Sequence, residues 1–461
     1  MALATDTLES LRSLVSAPVG FDATAREHFC VDGCLPAVVV EPASSEELVE
    51  VVRWARANRA ALVPVTSGCY LPLGNPPQAA DVAVSLARLN RVLHYDPGDL
   101  TFGVEAGMLL ADAKDHIAEH KLILPADPPY ADRAAVGGLL AAHAAGSLRL
   151  GYGTWRDFVV GMKFVTGEGK LVKSGGRVVK NVAGYDLNKL LIGSLGTLGI
   201  ITEVNFKLFP TPAAAASFVF SFSGDEAALE VRMRIVHSPW QPRAIELLDP
   251  RAAALAATPT LSSEHWSLVV AVGGVEKVIE RCERDFSGLA REMGAAEFRI
   301  ARQEENQTLW KALRSLLART REANPATTVV KGALPLTSVG PFLAKAQQVA
   351  ARYELPTAAT AHAGSGIGFL YLLPARRSLG EGGPPEGMTD AVRKMAQAAT
   401  EMIHAGNNLG GRVTIPWCPP EVKADVNVWG PLRDDFSLMK KLKAAFDPAG
   451  ILNPGRFVGG L

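Results

Sequence analysis

The sequence predicts an α+β protein of two mixed domains. Three observations carry that prediction: the length, a rhythm of short β-branched runs alternating with amphipathic stretches, and one Pro- and Ala-rich break in the rhythm. A chain of 461 residues exceeds what one hydrophobic core serves, at roughly 100 to 200 residues per domain. Hydrophobic residues make up 48% and charged residues 20%, a balance that excludes a disordered or fibrous chain. The break is PTPAAAAS, beginning at Pro210. The expected division is an N-terminal helical segment at 1–34, a first domain at 35–211, a second α+β domain at 212–440 and a tail at 441–461.

The N-terminus, MALATDTLESLRSLV, spaces its leucines as a helix does and lacks the basic start and apolar stretch of a secretory leader, so a cytoplasmic protein is expected. AVVVEP reads as a strand, and a helix follows. Ser44 and Glu47 have capping-box spacing, and Leu48, Val51, Val52 and Ala55 recur at i, i+3, i+4 and i+7. ALVPVT, DVAVSL, RVLHYD and TFGVEAG are strand-like, LLADAKDHIAEH is helical, and FVVGMKFVTGEGKLVKSG reads as two strands joined at Gly167-Glu168-Gly169. ITEVNFKLF alternates as a half-buried strand does. In the second domain SFVFSF, RAIELL, WSLVVAV, TTVVKGAL and GFLYLL alternate with helical runs at 225–236, 276–293, 336–353 and 386–404. RSLGEGGPPEGMTD, at 377–390, is expected to be a mobile surface loop. LRDDFSLMKKLKAAF is a last helix before the tail DPAGILNPGRFVGGL.

Lys plus Arg (47) equals Asp plus Glu (47), so no net field recruits nucleic acid or an anionic membrane. Apolar runs fall short of the roughly 20 residues of a membrane helix. Cys30, Cys34, Cys69, Cys282 and Cys418 are scattered and odd in number, which argues for free thiols and against a disulfide framework or a metal–thiolate site.

Three glycine-rich stretches stand out in the first domain: TSGCYLPLG, AVGGLLAAHAAGSLRLGYGT and IGSLGTLGI. Loops of this kind aim several backbone N–H groups at one anion, as a pyrophosphate requires. Tight turns and close packing call for the same residues. Neither G-x-G-x-x-G after a strand nor G-x-x-x-x-G-K-[ST] occurs, which excludes Rossmann and P-loop readings.

The order and spacing of those stretches resemble the FAD-binding domain of the p-cresol methylhydroxylase and vanillyl-alcohol oxidase type, over about residues 35 to 210. VGGLLAAHAAGSLRLGYGTWRDFVVGMKFVTGEGKLV and KNVAGYDLNKLLIGSLGTLGIITEVNFKL are similar to FAD-linked 2-hydroxyacid dehydrogenases throughout. The resemblance implies a two-part FAD-binding domain, an α+β cap (substrate) domain and a C-terminal tail returning to the flavin domain. It also implies FAD held at Thr66, Ser67, Gly68, Cys69 and Tyr70, at Asp127 and Pro128 of LPADPP, and at Gly137, Gly138, Ala141 and His143. Further contacts fall on Gly193, Ser194, Gly196, Thr197, Gly199 and Ile201, on Asn453 in the tail, and on Tyr152, Gly153 and Thr154 near the flavin. Some relatives bond FAD through His or Cys. No activating base accompanies Cys69 in the sequence, so non-covalent FAD is expected.

Metal-dependent members carry H-x-G-D-G-N-x-H and then S-G-E-H. This chain reads HAGSGIGF, with His362 kept but Ser365, Ile367 and Phe369 at the other ligand positions, and GGRVTIPW follows. One His cannot hold a metal, so no metal site is expected. No catalytic residue is assigned; His362, His404 and Arg412 are candidates, each read more readily as structural. The same losses resemble the FAD-binding E subunits of bacterial glycolate dehydrogenase (glycolate oxidase). That resemblance implies a catalytic flavoprotein subunit and an iron–sulfur subunit as partners, with any membrane association coming through them, and glycolate or D-lactate as the 2-hydroxyacid. A stand-alone FAD-linked oxidoreductase of a small alcohol or hydroxyacid, and a scaffolding subunit without catalysis, stay open.

Overall fold

The stripe Leu48, Val51, Val52 and Ala55 is buried along one side of a helix at Ser45–Asn58 (α1), as its spacing predicts. Ser44 Oγ accepts from Glu47 N at 3.2 Å. The Glu47 carboxylate, however, takes Ala43 N at 2.8 Å and Ser16 N at 3.2 Å, so half of the capping box is exchanged for a tie to the N-terminal segment. A computed structural model describes residues 3–177, 184–374 and 386–461 of the chain. Residues 180–183 of the KNVAGYDL stretch and 377–385 of the expected loop lie outside the described residues; Glu386 already opens a helix.

Two units result, one of Met1–Ala145, Thr154–Thr211 and Pro431–Leu461, the other of Gly146–Gly153 and Pro212–Gly430. The expected division differs at two places. The return to the first unit begins at Pro431 rather than 441, and the turn Gly146–Gly153 is grouped with the second unit.

In the first unit Val38–Val40 (β1), Leu62–Val65 (β2) and Val82–Ser85 (β3) form a parallel sheet in the order β1-β3-β2. α1 makes the crossover that parallel strands require. Val92–Asp96 (β4), Thr101–Glu105 (β5), Val159–Val165, Leu171–Gly175 and Ile200–Lys207 form a five-stranded antiparallel sheet. Phe206 and Val204, on one side of the alternating ITEVNFKLF strand, are buried. Leu110–Ala118 (α2) and the six-residue Val136–Ala141 (α3) complete the part used below.

The second unit is built on an eight-stranded antiparallel sheet. With Leu122–Ile123, Val159–Val165, Leu171–Gly175, Ile200–Lys207 and Phe209–Pro210 numbered β6 to β10, its strands are Ala214–Phe222 (β11), Ala244–Leu248 (β12), Trp266–Gly274 (β13), Glu297–Arg302 (β14), Thr328–Ala333 (β15), Thr357–His362 (β16), Ile367–Leu372 (β17) and Arg412–Trp417 (β18). They are ordered β14-β11-β13-β12-β16-β17-β15-β18. Helices Asp225–Val236 (α4), Pro250–Ala256 (α5), Glu276–Glu292 (α6), Gln303–Ala323 (α7), Val339–Tyr353 (α8) and Glu386–Asn408 (α9) flank it. Phe218, Phe220, Ile245 and Val270 pack one face against α4 and α6. On that same face Val330, Leu370, Val413 and Ile415 pack against Phe342 of α8 and Met402 of α9. The other face is covered at one end by α7, whose Trp310 Nε1 donates to Ser217 Oγ at 2.8 Å. Glu246, Lys331, His362, Phe369 and Thr414 point to that same second face at the opposite end of the sheet, because cross-strand partners share a face.

After the second unit the chain returns as a helix at Phe436–Phe446 (α10) and the tail Ile451–Arg456. Leu62 N donates to Ile451 O at 2.7 Å and Asn453 N to Leu62 O at 2.8 Å, so the tail extends the edge at β2.

Candidate functional site

In the first unit β2 ends at Val65 and the chain turns through Thr66–Leu71. This turn forms one wall of a groove with about 660 Å³ of empty space, part of it open to solvent. The opposite wall is α3 with Gly137, Gly138, Ala141 and Ala142, and the floor is Leu195, Gly196 and Gly199–Ile201. Two glycines make the walls close. A Cβ on Gly138 would meet Thr66 Oγ1 at 2.6 Å, and one on Gly137 would meet Ala106 Cβ at 2.8 Å. Ala135 N donates to Ser67 Oγ at 3.1 Å, which joins the turn to the start of α3.

Tyr70 OH donates to Pro129 O. The segment with Asp127 and Pro128 is thereby tied to the first loop. Burial pushes the Tyr70 phenol well above its ordinary pKa, so it stays a neutral donor. Cys69 lines the groove; its Sγ lies 3.6 Å from Arg133 O and 3.6 Å from Ser67 Oγ, weak contacts with neutral oxygens.

The tail closes the groove. Asn453 Nδ2 donates to Leu195 O at 2.6 Å, and Arg456 Nη2 donates to Leu71 O and Leu73 O. Arg456 is the one charged residue among the described residues that line the groove, and burial lowers its pKa to about 10, so it remains a cation. Leu195 (φ 50°) and Asn453 (φ 44°) hold left-handed backbone without being glycine, a strain that concentrates at binding sites. Asn453 Oδ1, on the groove lining, is buried with no hydrogen-bond partner among the described residues, at a cost that a bound polar ligand relieves.

Of the residues singled out in the sequence, Thr66–Tyr70, Gly137, Gly138, Ala141, Gly196, Gly199, Ile201 and Asn453 line this groove. Gly193, Ser194 and Thr197 support it from behind: Gly193 N donates to Leu140 O at 2.9 Å, and Thr197 Oγ1 to Ser194 O at 2.7 Å. His143 backs onto Gly193, whose added Cβ would lie 3.3 Å from it. Thr154 caps the short helix Trp155–Phe158, its N–H donating to Asp157 Oδ2 at 2.6 Å. Tyr152 and Gly153 lie in the second unit, where Tyr152 stacks under Arg243 at 5.2 Å. Arg456 and Leu195 were missed. The NPG sequence before Arg456 was the available signal, whereas nothing local marks Leu195.

The second unit gathers a different set. Glu246 on β12 is paired with His362 on β16, and His362 Nδ1 lies 2.6 Å from Glu246 Oε1. The side chains are 15% and 7% exposed, so this is a shielded carboxylate–imidazole pair. His362 Nε2 makes no hydrogen bond among the described residues. In the same row across the sheet follow Ile367, Ala333 and Arg412, and Arg412 Nη2 reaches Trp429 O at 3.5 Å. The adjacent row is Thr360, Phe369, Lys331 and Thr414. His362 and Arg412 thus share a face, three strands apart. His404 is separate: it is exposed on α9 beside Glu401, Tyr353 and Asp425, on the helical layer that covers the sheet's other face. Among the described residues no three His, Cys, Asp or Glu side chains gather as a metal requires.

Residues 36–175 match the FAD binding domain family, and residues 211–414 with 431–457 match the family of FAD linked oxidases, C-terminal domain. The chain belongs to the FAD-linked oxidases. It is similar to glycolate oxidase subunit GlcD of Bacillus subtilis (strain 168), 28% identical over 96% of this chain and 94% of that protein. It is 27% identical to D-lactate dehydrogenase of Anaerostipes hadrus over 96% and 94%. Glycolate oxidase subunit GlcE of Escherichia coli (strain K12) is 37% identical over 41% of this chain and 53% of that protein. The fold is that of p-cresol methylhydroxylase with substrate bound (TM-score 0.78, 17% identity, 98% of this chain and 96% of that one) and of 4-ethylphenol oxidase from Gulosibacter chungangensis (TM-score 0.76, 17%, 98% and 97%).

This FAD-linked oxidase is therefore an oxidoreductase whose cofactor is FAD. The groove fits that cofactor. It is narrow where Gly137 and Gly138 allow close approach, it offers one cation at Arg456, and among the described residues it leaves Asn453 Oδ1 without a protein partner. No helix among the described residues is long and apolar enough to cross a membrane.

Proposed function

We propose that this protein is an FAD-dependent dehydrogenase of a small 2-hydroxy acid of the glycolate or D-lactate class. It acts as the flavin subunit of an assembly in which a second flavoprotein and an iron–sulfur subunit carry the electrons onward. The Glu246–His362 pair carries the catalytic part of the reading. A carboxylate 2.6 Å from Nδ1 fixes the imidazole with its proton on that nitrogen and leaves the Nε2 lone pair free to accept the substrate's hydroxyl proton. Glu246 then faces the imidazolium and stabilises it, as the orienting acid of a triad does. Similarity to proteins named as glycolate oxidase subunits and as D-lactate dehydrogenase supports the substrate class and the assembly.

The alcohol carbon loses its hydrogen with two electrons, the hydroxyl oxygen loses a proton to His362 Nε2, and the product is the 2-oxo acid. Bound FAD supplies the acceptor of those two electrons. Ser365, Ile367 and Phe369 stand where metal-dependent relatives hold ligands, which favours a relay subunit that does not turn over alone.

Anaerobic mixing of the purified yellow protein with glycolate and with D-lactate separates these. Bleaching by either acid is expected, slowed about 10²- to 10⁴-fold in His362→Asn and less in Glu246→Gln, with flavin content unchanged. A flavin that neither acid bleaches, in a protein that copurifies with a second flavoprotein, establishes the relay reading instead. Protein purified without flavin would leave only a scaffold.

A further inference from the structure

We propose that Asp249 is a positioning residue for the Glu246–His362 pair: its carboxylate completes the seam between β12 and β16 and so fixes the register that brings the two side chains together. The pair's part in catalysis rests on the preceding reading; the seam stands on the following observations. β12 and β16 join the strands β14-β11-β13-β12 to the strands β16-β17-β15-β18. Their ladder is short, with Glu246, Leu247 and Leu248 opposite His362, Ala361 and Thr360. A slip of one residue turns every side chain of a strand to the other face, which would take His362 away from Glu246.

The two ends of this ladder are fastened differently. Beyond His362 the backbone suffices, since Ala363 N donates to Ile245 O at 2.8 Å. At the other end the chain leaves β12 for α5, and the backbone makes only half of the next rung. Asp249 N donates to Ala359 O at 3.0 Å, but Asp249 O is taken by Ala253 N at 3.0 Å, inside α5. The carboxylate takes the place of that carbonyl. Its Oδ2 accepts from Ala359 N at 2.9 Å while its Oδ1 accepts from Ala252 N at 2.6 Å.

One side chain therefore caps α5 and closes the seam. A cap alone needs a single oxygen, which Ser supplies about as well as Asp. Donors on two different elements call for two acceptor oxygens, which a carboxylate offers. Burial raises the Asp249 pKa to about 6, against the pull of those amides and of Arg251, so the group is ionised at about pH 8. Asp249 lies three positions after Glu246, and Ala359 lies three before His362. Only the ladder itself separates this rung from the pair, whose contact of 2.6 Å tolerates little displacement.

The test compares Asp249→Ser and Asp249→Ala in the FAD-loaded protein at about pH 8. Ser keeps an oxygen for the cap but, shorter and single, leaves Ala359 N without its acceptor; Ala removes both bonds. Long-range proton–nitrogen NMR reads the His362 ring, assigned by its absence in His362→Asn. Wild type should show a neutral ring with its proton on Nδ1. Both variants should lose that preference, although Ser should melt between wild type and Ala. With glycolate or D-lactate the limiting rate of flavin bleaching should fall about 10- to 10²-fold in both, with the half-saturating concentration within about twofold of wild type. A role confined to capping would leave the ring and the rate of Asp249→Ser as in wild type, and that result overturns the proposal. If Asp249→Ala does not fold, Asp249→Ser alone decides. If the ring in Asp249→Ser loses its Nδ1 proton while neither acid bleaches the wild-type flavin, the positioning role stands and the hydroxy-acid reading falls.

Discussion

Lys443 holds the returning chain in place. Its ammonium donates to Thr197 O and Leu452 O, both at 2.9 Å, and to Asp447 Oδ2 at 2.6 Å. Asp447, with a side chain 0% exposed, also accepts from Ile451 N and Leu452 N. Burial pulls the Lys443 pKa down while Asp447 opposes that pull. Removing the cation leaves a buried carboxylate facing only amides, so Lys443→Met is expected to cost about 3–5 kcal/mol in urea unfolding, and Asp447→Asn added to it should recover part of the loss. None of this was legible beforehand, because Lys443 reads in sequence as one of several lysines on an amphipathic helix. Legibility at the residue scale followed distance along the chain. His362 stood in a recognisable pattern, whereas its partner Glu246 lies 116 positions away with no motif around it.

Elements were legible where the hydrophobic period was strong. The runs expected at 225–236 and 276–293 are helices at Asp225–Val236 and Glu276–Glu292. α7, the 21-residue helix Gln303–Ala323, was missed because its buried positions, Leu309, Trp310, Leu316, Leu317 and Thr320, form a sparse stripe in a polar sequence. β16 was missed because TAATAH is half alanine, a residue depleted in strands; Ala358, Ala359, Thr360 and Ala361 are nonetheless buried in the sheet. α3 is the element on which the cofactor depends. A methyl on Gly138 meets Thr66 Oγ1 at 2.6 Å, a polar atom on a rotatable side chain. Gly138→Ala is therefore expected to fold with a near-normal melt but to purify with less than about half the flavin per chain, read from the visible-to-ultraviolet absorbance ratio. The price of such a methyl in a closed contact is about 1–3 kcal/mol, enough to weaken binding several-fold. Equal flavin content in the variant would show that the wall yields.

At the scale of the whole molecule the two α+β parts, the boundary near residue 211 and the returning tail were legible from composition and motif order. The assignment of Gly146–Gly153 to the second unit was not, since the turn sits in the middle of a continuous glycine-rich match. The groove is assembled from segments near residues 64–71, 137–142, 195–201 and 453–456, and Cys69 Sγ lies against the neutral oxygens of Ser67 and Arg133. We propose that the fold alone retains the cofactor, with no bond to Cys69. Precipitation with acid is expected to leave a yellow supernatant and a white pellet; a yellow pellet would mean a covalent bond. The closing role of Asn453 and Arg456 also fixes a sequence of events during synthesis. From Ala142 to Arg456 the ribosome adds 314 residues (456 − 142), about 15 to 60 seconds at ordinary elongation rates. For that interval the nascent first unit has the groove's walls without its clasp, and a nucleotide that needs Asn453 and Arg456 to hold it waits until that segment is made.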